Sequence, residues 1–312
     1  MTGPLRADDV TPRSSRLAAV NVDIDSLYLY YQIHGLSAEA AGDAVWERGV
    51  PRFAALFEEA GVRGTFFVVA SDLERWPQAR TLTRELADAG HEIGSHSWSH
   101  PYDLVRRSPQ EIAEELDRAQ EIITDVAGRP AVGFRAPGYT LTTELLELLA
   151  ERDYAYDSSL FPCPPYYLAK ASMMGLLKLR GRPSASILDR PSVMWQRRNP
   201  HRRSGILEIP ITVLPGLRFP LIGTSLVMMG AGGYRLIRPW MRTLSFVNLE
   251  FHGIDLCGLE EDGLDPALLR QPDMRVPLEK KRALFRSVLE DLTSGWRVDT
   301  LENLAGSLGE DP

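Results

Sequence analysis

Two aspartates, Asp23 and Asp25, end an apolar run that begins at Leu17. Residues i and i+2 of a strand point to the same side, so both carboxylates face the same way at the end of the predicted strand. Neighbouring carboxylates repel each other unless a cation or a proton lies between them. The pair therefore indicates a cation site, and a strand end solvated by water is the alternative for so short a motif.

Two histidines follow another predicted strand. His96 and His100 lie between Gly94 and Pro101, and if the chain turns helical there, the two imidazoles share a face and can hold one metal ion. With Asp25 they form a set of two histidines and one carboxylate, which leaves positions open for water and substrate. The set predicts one divalent metal ion, with zinc preferred over cobalt, nickel or manganese. A purely structural role for the two histidines is the competing interpretation.

Arg135 and His252 also end predicted strands. A buried arginine needs a carboxylate partner, and we expect that partner to be Asp23. Histidine titrates near neutral pH, so His252 is a candidate general acid. The alternatives are an ordinary structural ion pair for Arg135 and a core histidine at position 252.

The elements that must position these residues alternate between strands and helices. We predict strands at 17–25, 65–69, 91–95, 131–135, 154–157, 206–209, 246–251 and 297–300, and helices at 53–60, 73–89, 109–128, between 136 and 153, and at 279–293. This alternation predicts parallel β-α units in an α/β fold. Seven or eight units in this length favour a single-domain (β/α) barrel, whose active-site mouth lies at the C-terminal ends of the strands.

Composition narrows the class of protein. The 312 residues carry 35 basic and 42 acidic side chains, a net charge of −7, which argues against a nucleic-acid partner. Two cysteines cannot form a disulfide framework or a cysteine-rich zinc site. Residues 1–15 are polar and expected to be disordered, with the barrel domain over 16–312. Because there is no signal-like apolar segment and no apolar run of membrane-spanning length, we expect a cytoplasmic protein.

The segment 163–245 interrupts the alternation and is interpreted as an insertion or lid. Within 170–203 there are nine Lys or Arg and one acid, Asp189, next to apolar residues such as Met173 and Met174. This combination suits a phosphate-bearing substrate or peripheral contact with an anionic membrane surface. A solvated basic loop is an equal alternative, and no protein partner is inferred.

Five segments, in this order, carry a family resemblance. They are Asn21-Val-Asp-Ile-Asp25, His96-Ser-Trp-Ser-His100, Arg135-Ala-Pro-Gly-Tyr139, Tyr156-Asp-Ser-Ser159 and Leu249-Glu-Phe-His252. They resemble the polysaccharide deacetylase family, also called the NodB-homology domain or carbohydrate esterase family 4. The resemblance covers roughly 17–160 and 205–305 and leaves most of the insertion uncovered.

The resemblance implies a distorted (β/α) barrel and metal-dependent hydrolysis of an amide. By analogy with the family, the metal ligands are Asp25, His96 and His100. Asp23 is then the general base, Arg135 keeps Asp23 ionised and oriented, and His252 protonates the leaving amine.

Three further positions match the family motifs. A backbone N–H near Gly138 or Tyr139 is expected to complete the oxyanion hole. Asp157 is expected to tune a catalytic neighbour or to line the substrate groove. Many members have tyrosine where this chain has Gly138.

The first motif departs from the commonest pattern, because many members carry adjacent aspartates and this chain has Asp-x-Asp. The spaced form resembles a branch that includes lipid-linked aminosugar deformylases, some peptidoglycan deacetylases and metal-independent allantoinase-like enzymes. We therefore expect the protein to remove an N-acetyl or N-formyl group from an aminosugar. We expect this aminosugar to be a cytoplasmic small molecule that is linked to a nucleotide or a lipid. The alternatives are an allantoinase-like amidase acting on a small cyclic amide and a catalytically inactive carbohydrate-binding barrel.

Overall fold

The computed structural model describes residues 16–34, 43–179, 181 and 187–309. Its sheet is built around β1 (Leu17–Ile24), where every residue after Leu17 is buried. A strand buried on both faces is apolar almost throughout, and the run Ala18-Ala-Val-Asn-Val has this character. The exceptions to the apolar pattern, Asn21 and Asp23, lie where the strand approaches the site.

Within the described residues, seven strands run parallel in a curled sheet, in the order β7-β5-β4-β3-β2-β1-β8. Their bounds are β2 Thr65–Val68, β3 Glu92–Ser95, β4 Gly133–Phe134, β5 Tyr156–Asp157, β7 Ile206–Glu208 and β8 Phe246–His252. The short β6 (His201–Arg203) pairs antiparallel with β7, and β9 (Arg297–Val298) pairs with the start of β1. This order confirms the predicted distorted (β/α) barrel.

The gap between β7 and β8 is closed by irregular chain. Thr212 N–H donates to Asn248 O at 3.1 Å, and the Asn248 amide donates to Ile209 O at 3.1 Å. Side-chain bonds therefore replace part of the missing strand ladder, and they bring the end of β8 next to the segment that follows β7.

Helices cover the outside of the sheet. They are α1 Leu27–His34, α2 Val50–Glu59, α3 Ala70–Arg75, α4 Pro77–Asp88, α5 Pro109–Ala127, α6 Thr143–Ala150, α7 Pro164–Leu179, α8 Gly223–Met241, α9 Leu278–Gly295 and α10 Leu301–Gly309. The predicted start of α5 is observed as a full capping box between Ser108 and Glu111, and the helix ends at Gly128 in the left-handed conformation.

Two helix predictions need correction. The helix predicted at 73–89 is two helices, α3 and α4, because Pro77 begins the second and forces the preceding Trp76 into an extended conformation. The helices α1, α7, α8 and α10 were not among the predicted elements. In α1 and α7 the apolar residues are not confined to one stripe, so the periodic signal is weak. Helix α10 has apolar residues at i, i+3, i+4 and i+7, and this pattern was missed.

The segment 163–245 does not form one separate unit. Helix α7 borders the cavity described below, β7 joins the sheet, and α8 packs against β8 and α9. The predicted disorder of residues 1–15 concerns residues outside the described part of the chain. Across the described ranges, no helix combines the length and apolar character needed to cross a bilayer.

Candidate active site

A cavity of about 360 Å³ opens at the C-terminal ends of the strands. Strand ends and the loops after them supply its polar wall, which includes Asp23, Asp25, His96, Tyr139 and His252. Helix α7 supplies much of the opposite, apolar wall. A volume of this size suits about one sugar residue. Barrel enzymes keep their reacting groups at this end, so the cavity is the candidate active site.

The three candidate metal ligands converge. Nε2 of His96 lies 3.3 Å and Nε2 of His100 lies 3.2 Å from the same oxygen, Asp25 Oδ1. This buried oxygen takes no hydrogen bond from the described residues. Both ring nitrogens and the carboxylate therefore point at one common position, as ligands of a single cation do.

The orientation of His96 also fits a metal ligand. Its Nδ1 lies 2.7 Å from the carbonyl oxygen of Arg135, so Nδ1 carries the proton and donates it to that carbonyl. The lone pair of a neutral His96 is then on Nε2, facing Asp25. The donor set of two imidazoles and one carboxylate matches catalytic zinc sites with an open coordination position. The residues present thus fit a divalent cation.

The loop between the histidines is not helical, which corrects the predicted reason for their convergence. Ser97 and His100 both have positive φ, 65° and 56°, and the His100 N–H donates to Ser97 Oγ at 3.0 Å. Two left-handed residues fold the loop back on itself, and the imidazole centroids come within 4.8 Å. The ring of Tyr102 packs edge-on against His100, with the centroids 4.7 Å apart.

Asp23 is held by Arg135. Nη1 of Arg135 lies 2.8 Å from Asp23 Oδ1 and 2.6 Å from Asn21 Oδ1. The remaining guanidinium nitrogens donate to Ser158, Nε to its carbonyl and Nη2 to its hydroxyl, both at 2.8 Å. The expected ion pair is therefore present and fully buried, and four of the five N–H donors of its arginine have acceptors. This arrangement fixes the Asp23 carboxylate at the cavity wall.

His252 lies beside a carboxylate that the sequence analysis missed. Its Nε2 is 3.6 Å from Glu250 Oε1 and 3.2 Å from the hydroxyl of Tyr139, which itself donates to Glu250. Burial lowers the pKa of His252, but Glu250 and the more distant Asp25, Asp255 and Asp23 raise it further, to about 9. At neutral pH the imidazole is therefore a cation with a proton to donate.

The backbone around Gly138 differs from the expected oxyanion site. Gly138 and Tyr139 both have positive φ, 65° and 60°, and Gly138 borders the cavity. The Tyr139 N–H donates to Ala136 O at 3.1 Å, so this N–H is already used inside a turn. Tyr139 presents its side chain to the site, so of the two backbone positions expected to supply an oxyanion donor, Gly138 is the one that stays a prediction.

Asp157 lies behind the site. It is fully buried and accepts from the Ser159 N–H at 3.0 Å and the Ser159 hydroxyl at 2.7 Å, and the cavity lining does not include it. The Ser159 hydroxyl in turn accepts from Ala136 N–H at 2.7 Å. Of the two expected roles, tuning a neighbour is the one these contacts favour, and both stay predictions. Through Ser159, Asp157 is linked to the backbone of Ala136, and these bonds stabilise the turn that leads to Gly138.

A second group of potential ligands, Asp23, Glu250 and His252, adjoins the first. Its carboxylates already have partners, since Arg135 binds Asp23 and Tyr139 donates to Glu250. Asp25 Oδ1 takes no hydrogen bond from the described residues, so Asp25, His96 and His100 are the better candidates for a metal position.

Two other cavity residues were also missed. Tyr30, on α1, is buried, and its hydroxyl has no hydrogen-bond partner among the described residues. Lys170, on α7, donates to the carbonyl of Gly138 at 3.2 Å. A lone tyrosine or lysine in a helix carries no sequence signal for a site, and only the folded arrangement reveals these two.

Fold and site together define a (β/α)-barrel protein with a buried two-histidine, one-carboxylate cluster at the C-terminal ends of its strands. The sequence model of the family described as polysaccharide deacetylase matches residues 42–156. The resemblance seen in the motifs is therefore confirmed over these residues.

Two curated relatives extend the comparison. A peptidoglycan deacetylase of Helicobacter pylori is 29% identical over 160 residues, which cover 49% of this chain and 53% of that protein. A peptidoglycan deacetylase-like protein of Gibberella zeae is 26% identical over 215 residues, 66% of this chain and 60% of that protein. The chain thus spans between half and two thirds of the length of these relatives.

Among solved structures, a Mycobacterium smegmatis protein provisionally assigned as a polysaccharide deacetylase superposes with a TM-score of 0.62. The superposition covers 99% of this chain and 94% of that chain, with 20% sequence identity. At this identity the likeness concerns the fold, and it shows that the barrel, including most of segment 163–245, has a known counterpart.

Proposed function

We propose that the protein is a metal-dependent hydrolase that removes an N-acetyl or N-formyl group from an aminosugar. The observation that carries the proposal is the convergence of Asp25, His96 and His100 beside the cavity that Asp23 also lines. Arg135 holds Asp23 there. The names of the relatives, peptidoglycan deacetylases, support an amide on an aminosugar as the bond that is cut.

Amide hydrolysis needs an activated water, a stabilised oxyanion and a protonated leaving group. When bound at Asp25, His96 and His100, a divalent cation polarises the carbonyl and makes a nearby water more acidic. Asp23 then takes one proton from the attacking water as its oxygen bonds to the carbonyl carbon. Arg135 holds the Asp23 carboxylate in position before the reaction.

His252 completes the proton transfers. As the carbon–nitrogen bond breaks, the amine nitrogen takes the imidazolium proton, and the products are a free amine and the carboxylate of the acyl group. Glu250 holds His252 in its protonated form, and Tyr139 bonds both side chains. With the Tyr139 N–H engaged, the unpartnered Tyr30 hydroxyl is our candidate for a protein donor to the developing oxyanion.

The substrate we propose is an N-acylated aminosugar that is nucleotide-linked or lipid-linked. The small cavity and the exposed apolar residues of α7, which are Leu168, Leu176 and the cavity-lining Met173, support a small head group attached to a larger carrier. Peripheral membrane contact through the basic segment and a cytoplasmic location both stay predictions. So does membership of the spaced-aspartate branch.

The two rival functions make different predictions. An allantoinase-like amidase would not depend on metal and would reject sugars, whereas the complete ligand set here favours a bound cation. An inactive carbohydrate-binding barrel would bind sugar without turnover. The buried Arg135–Asp23 pair and the His252–Glu250 pair favour catalysis, because perturbed titratable groups cluster at reacting sites.

The test is an assay of the full-length protein after chelation and after reconstitution with zinc, cobalt, nickel or manganese. The panel contains N-acetyl and N-formyl aminosugars, free and linked to nucleotide or lipid phosphate, peptidoglycan fragments and allantoin. Mass spectrometry detects loss of the acyl group. We expect deacylation of at least one aminosugar, lost on chelation and restored by metal. Turnover of allantoin alone, or turnover that survives chelation, would overturn the proposal.

A further inference from the structure

Helix α7 presents one face to the cavity. The residues on this face are Tyr166, Ala169, Lys170, Met173 and Met174, a spacing of i, i+3, i+4, i+7 and i+8 that places them on one side of a helix. Four of the five are aromatic or apolar. Lys170 therefore places a positive charge in the otherwise apolar wall that α7 contributes. This wall faces the residues to which we give roles in the reaction.

Among the described residues, the Lys170 ammonium contacts only uncharged groups. It donates to Gly138 O at 3.2 Å and lies 5.7 Å from the centre of the Tyr166 ring. Asp189 attracts it electrostatically, but that carboxylate accepts from the Leu141 N–H at 3.0 Å and from the Arg190 N–H. An ammonium has three N–H donors, so Lys170 has donors left for a ligand.

Burial lowers the pKa of Lys170 to about 8, and the attraction of Asp189 does not offset it. A half-buried ammonium without a close counter-ion is destabilised, and an anion placed beside it would remove that cost. The other titratable side chains around the same cavity are Asp23, Asp25, Tyr30, His96, Tyr102, Tyr139, Tyr166 and His252. The carboxylates among them are committed to Arg135 and to the histidines.

We propose that Lys170 is the anion-binding residue of this cavity and that the substrate carries a phosphate or carboxylate close to its N-acylated sugar. The inference rests on the proposed function and specifies its substrate class. It assigns to Lys170 the role that the sequence analysis gave to the basic segment 170–203 as a whole. The arginines of that segment at 197, 198, 202 and 203 are not among the residues that line the cavity. Met173 and Met174, one turn further along α7, then contact whatever the anionic group is attached to.

The test compares Lys170→Gln, Lys170→Arg and wild type on matched substrates, with Lys178→Gln as control because Lys178 lies on the same helix but is exposed. The substrates are N-acetylglucosamine, its 1-phosphate, its uridine diphosphate conjugate, a prenyl phosphate conjugate and N-acetylmuramic acid. The last four distinguish free, nucleotide and lipid phosphate from a sugar carboxylate.

We expect Lys170→Gln to raise KM for the anionic substrates at least about tenfold, with little change in kcat and none for the neutral sugar. Wild-type KM for the anionic substrates should rise above about pH 8, where Lys170 loses its charge. This rise should be absent in Lys170→Arg, since guanidinium stays protonated. Lys178→Gln should match wild type.

An unchanged KM for every anionic substrate in Lys170→Gln, or an equal rise for the neutral sugar, would overturn the inference. If the wild type hydrolyses nothing in the panel, the proposed function has failed. Calorimetric binding of N-acetylglucosamine 1-phosphate to wild type and Lys170→Gln then tests Lys170 independently, with loss of binding expected and equal binding contradicting it.

Discussion

The guanidinium of Arg135 and the carboxylate of Asp23 form a fully buried ion pair, with Nη1 and Oδ1 2.8 Å apart. The arginine follows β4 and the aspartate ends β1, so two distant strands are joined at the wall of the cavity. Removing one member of such a pair leaves an uncompensated charge in the protein interior.

Arg135→Met should therefore destabilise the protein by about 3–5 kcal/mol. Urea unfolding followed by circular dichroism measures this free energy. Arg152→Met is the matched control, because Arg152 pairs with the exposed Asp117 at 2.7 Å and should cost less than about 1 kcal/mol. Equal decreases in the free energy of unfolding would show that the buried Arg135 pair stabilises the protein no more than the exposed Arg152 pair.

Asp23→Asn should abolish deacylation, because an amide cannot accept the proton that the carboxylate takes from water. The metal content should stay at the wild-type level, since Asp23 is bound to Arg135 and not to the ligand set. Rates and metal content measured on the same preparation check both expectations. Retained turnover would exclude Asp23 as the general base, and loss of metal would make it a ligand.

His96→Ala should lose the bound cation, because His96 supplies one of only three proposed protein ligands. Plasma mass spectrometry of the dialysed protein measures the metal. His201→Ala is the control, since His201 lies on β6 and bonds the carbonyl of Asn199 at 3.0 Å, away from the cavity. Metal retained in the first variant, or lost in both, would contradict the assignment.

Glu250→Gln should move the alkaline limb of kcat/KM to lower pH. A general acid must be protonated, so activity falls as the pH rises through its pKa, and Glu250 is the largest of the neighbours that raise the pKa of His252. Without that charge the proton is lost at lower pH. A pH profile measures the limb, with the exposed Glu144→Gln as control. An alkaline limb at the wild-type pH would show that Glu250 does not raise the pKa of the general acid.

Much of this site follows from the sequence because parallel strands bring their C-terminal ends together. Asp23, Asp25, His96, Arg135 and His252 each follow or end a strand, so predicting the strands predicts the cluster. The same i, i+2 rule that paired the aspartates would have found Glu250, which lies two residues before His252 on the same strand. Glu250 was not singled out because most of its neighbours on β8 are apolar.

The remaining features depend on local backbone geometry and tertiary contact. Left-handed φ at Ser97 and His100 replaces the expected helical turn, and such values are rare for residues other than glycine. The N–H of Tyr139 donates to a carbonyl oxygen within a turn, and the sequence alone does not predict this turn. Lys170 reaches the cavity because α7 borders it, and no spacing within the chain indicates which element will do so.

Anomalous X-ray diffraction from crystals of the zinc-loaded protein tests the central claim most directly. We predict one peak per chain, within about 2.0–2.2 Å of a carboxylate oxygen of Asp25 and of Nε2 of His96 and His100. A peak among Asp23, Glu250 and His252, or imidazoles turned away from an ion bound elsewhere, would contradict the assignment of these three residues as one metal site.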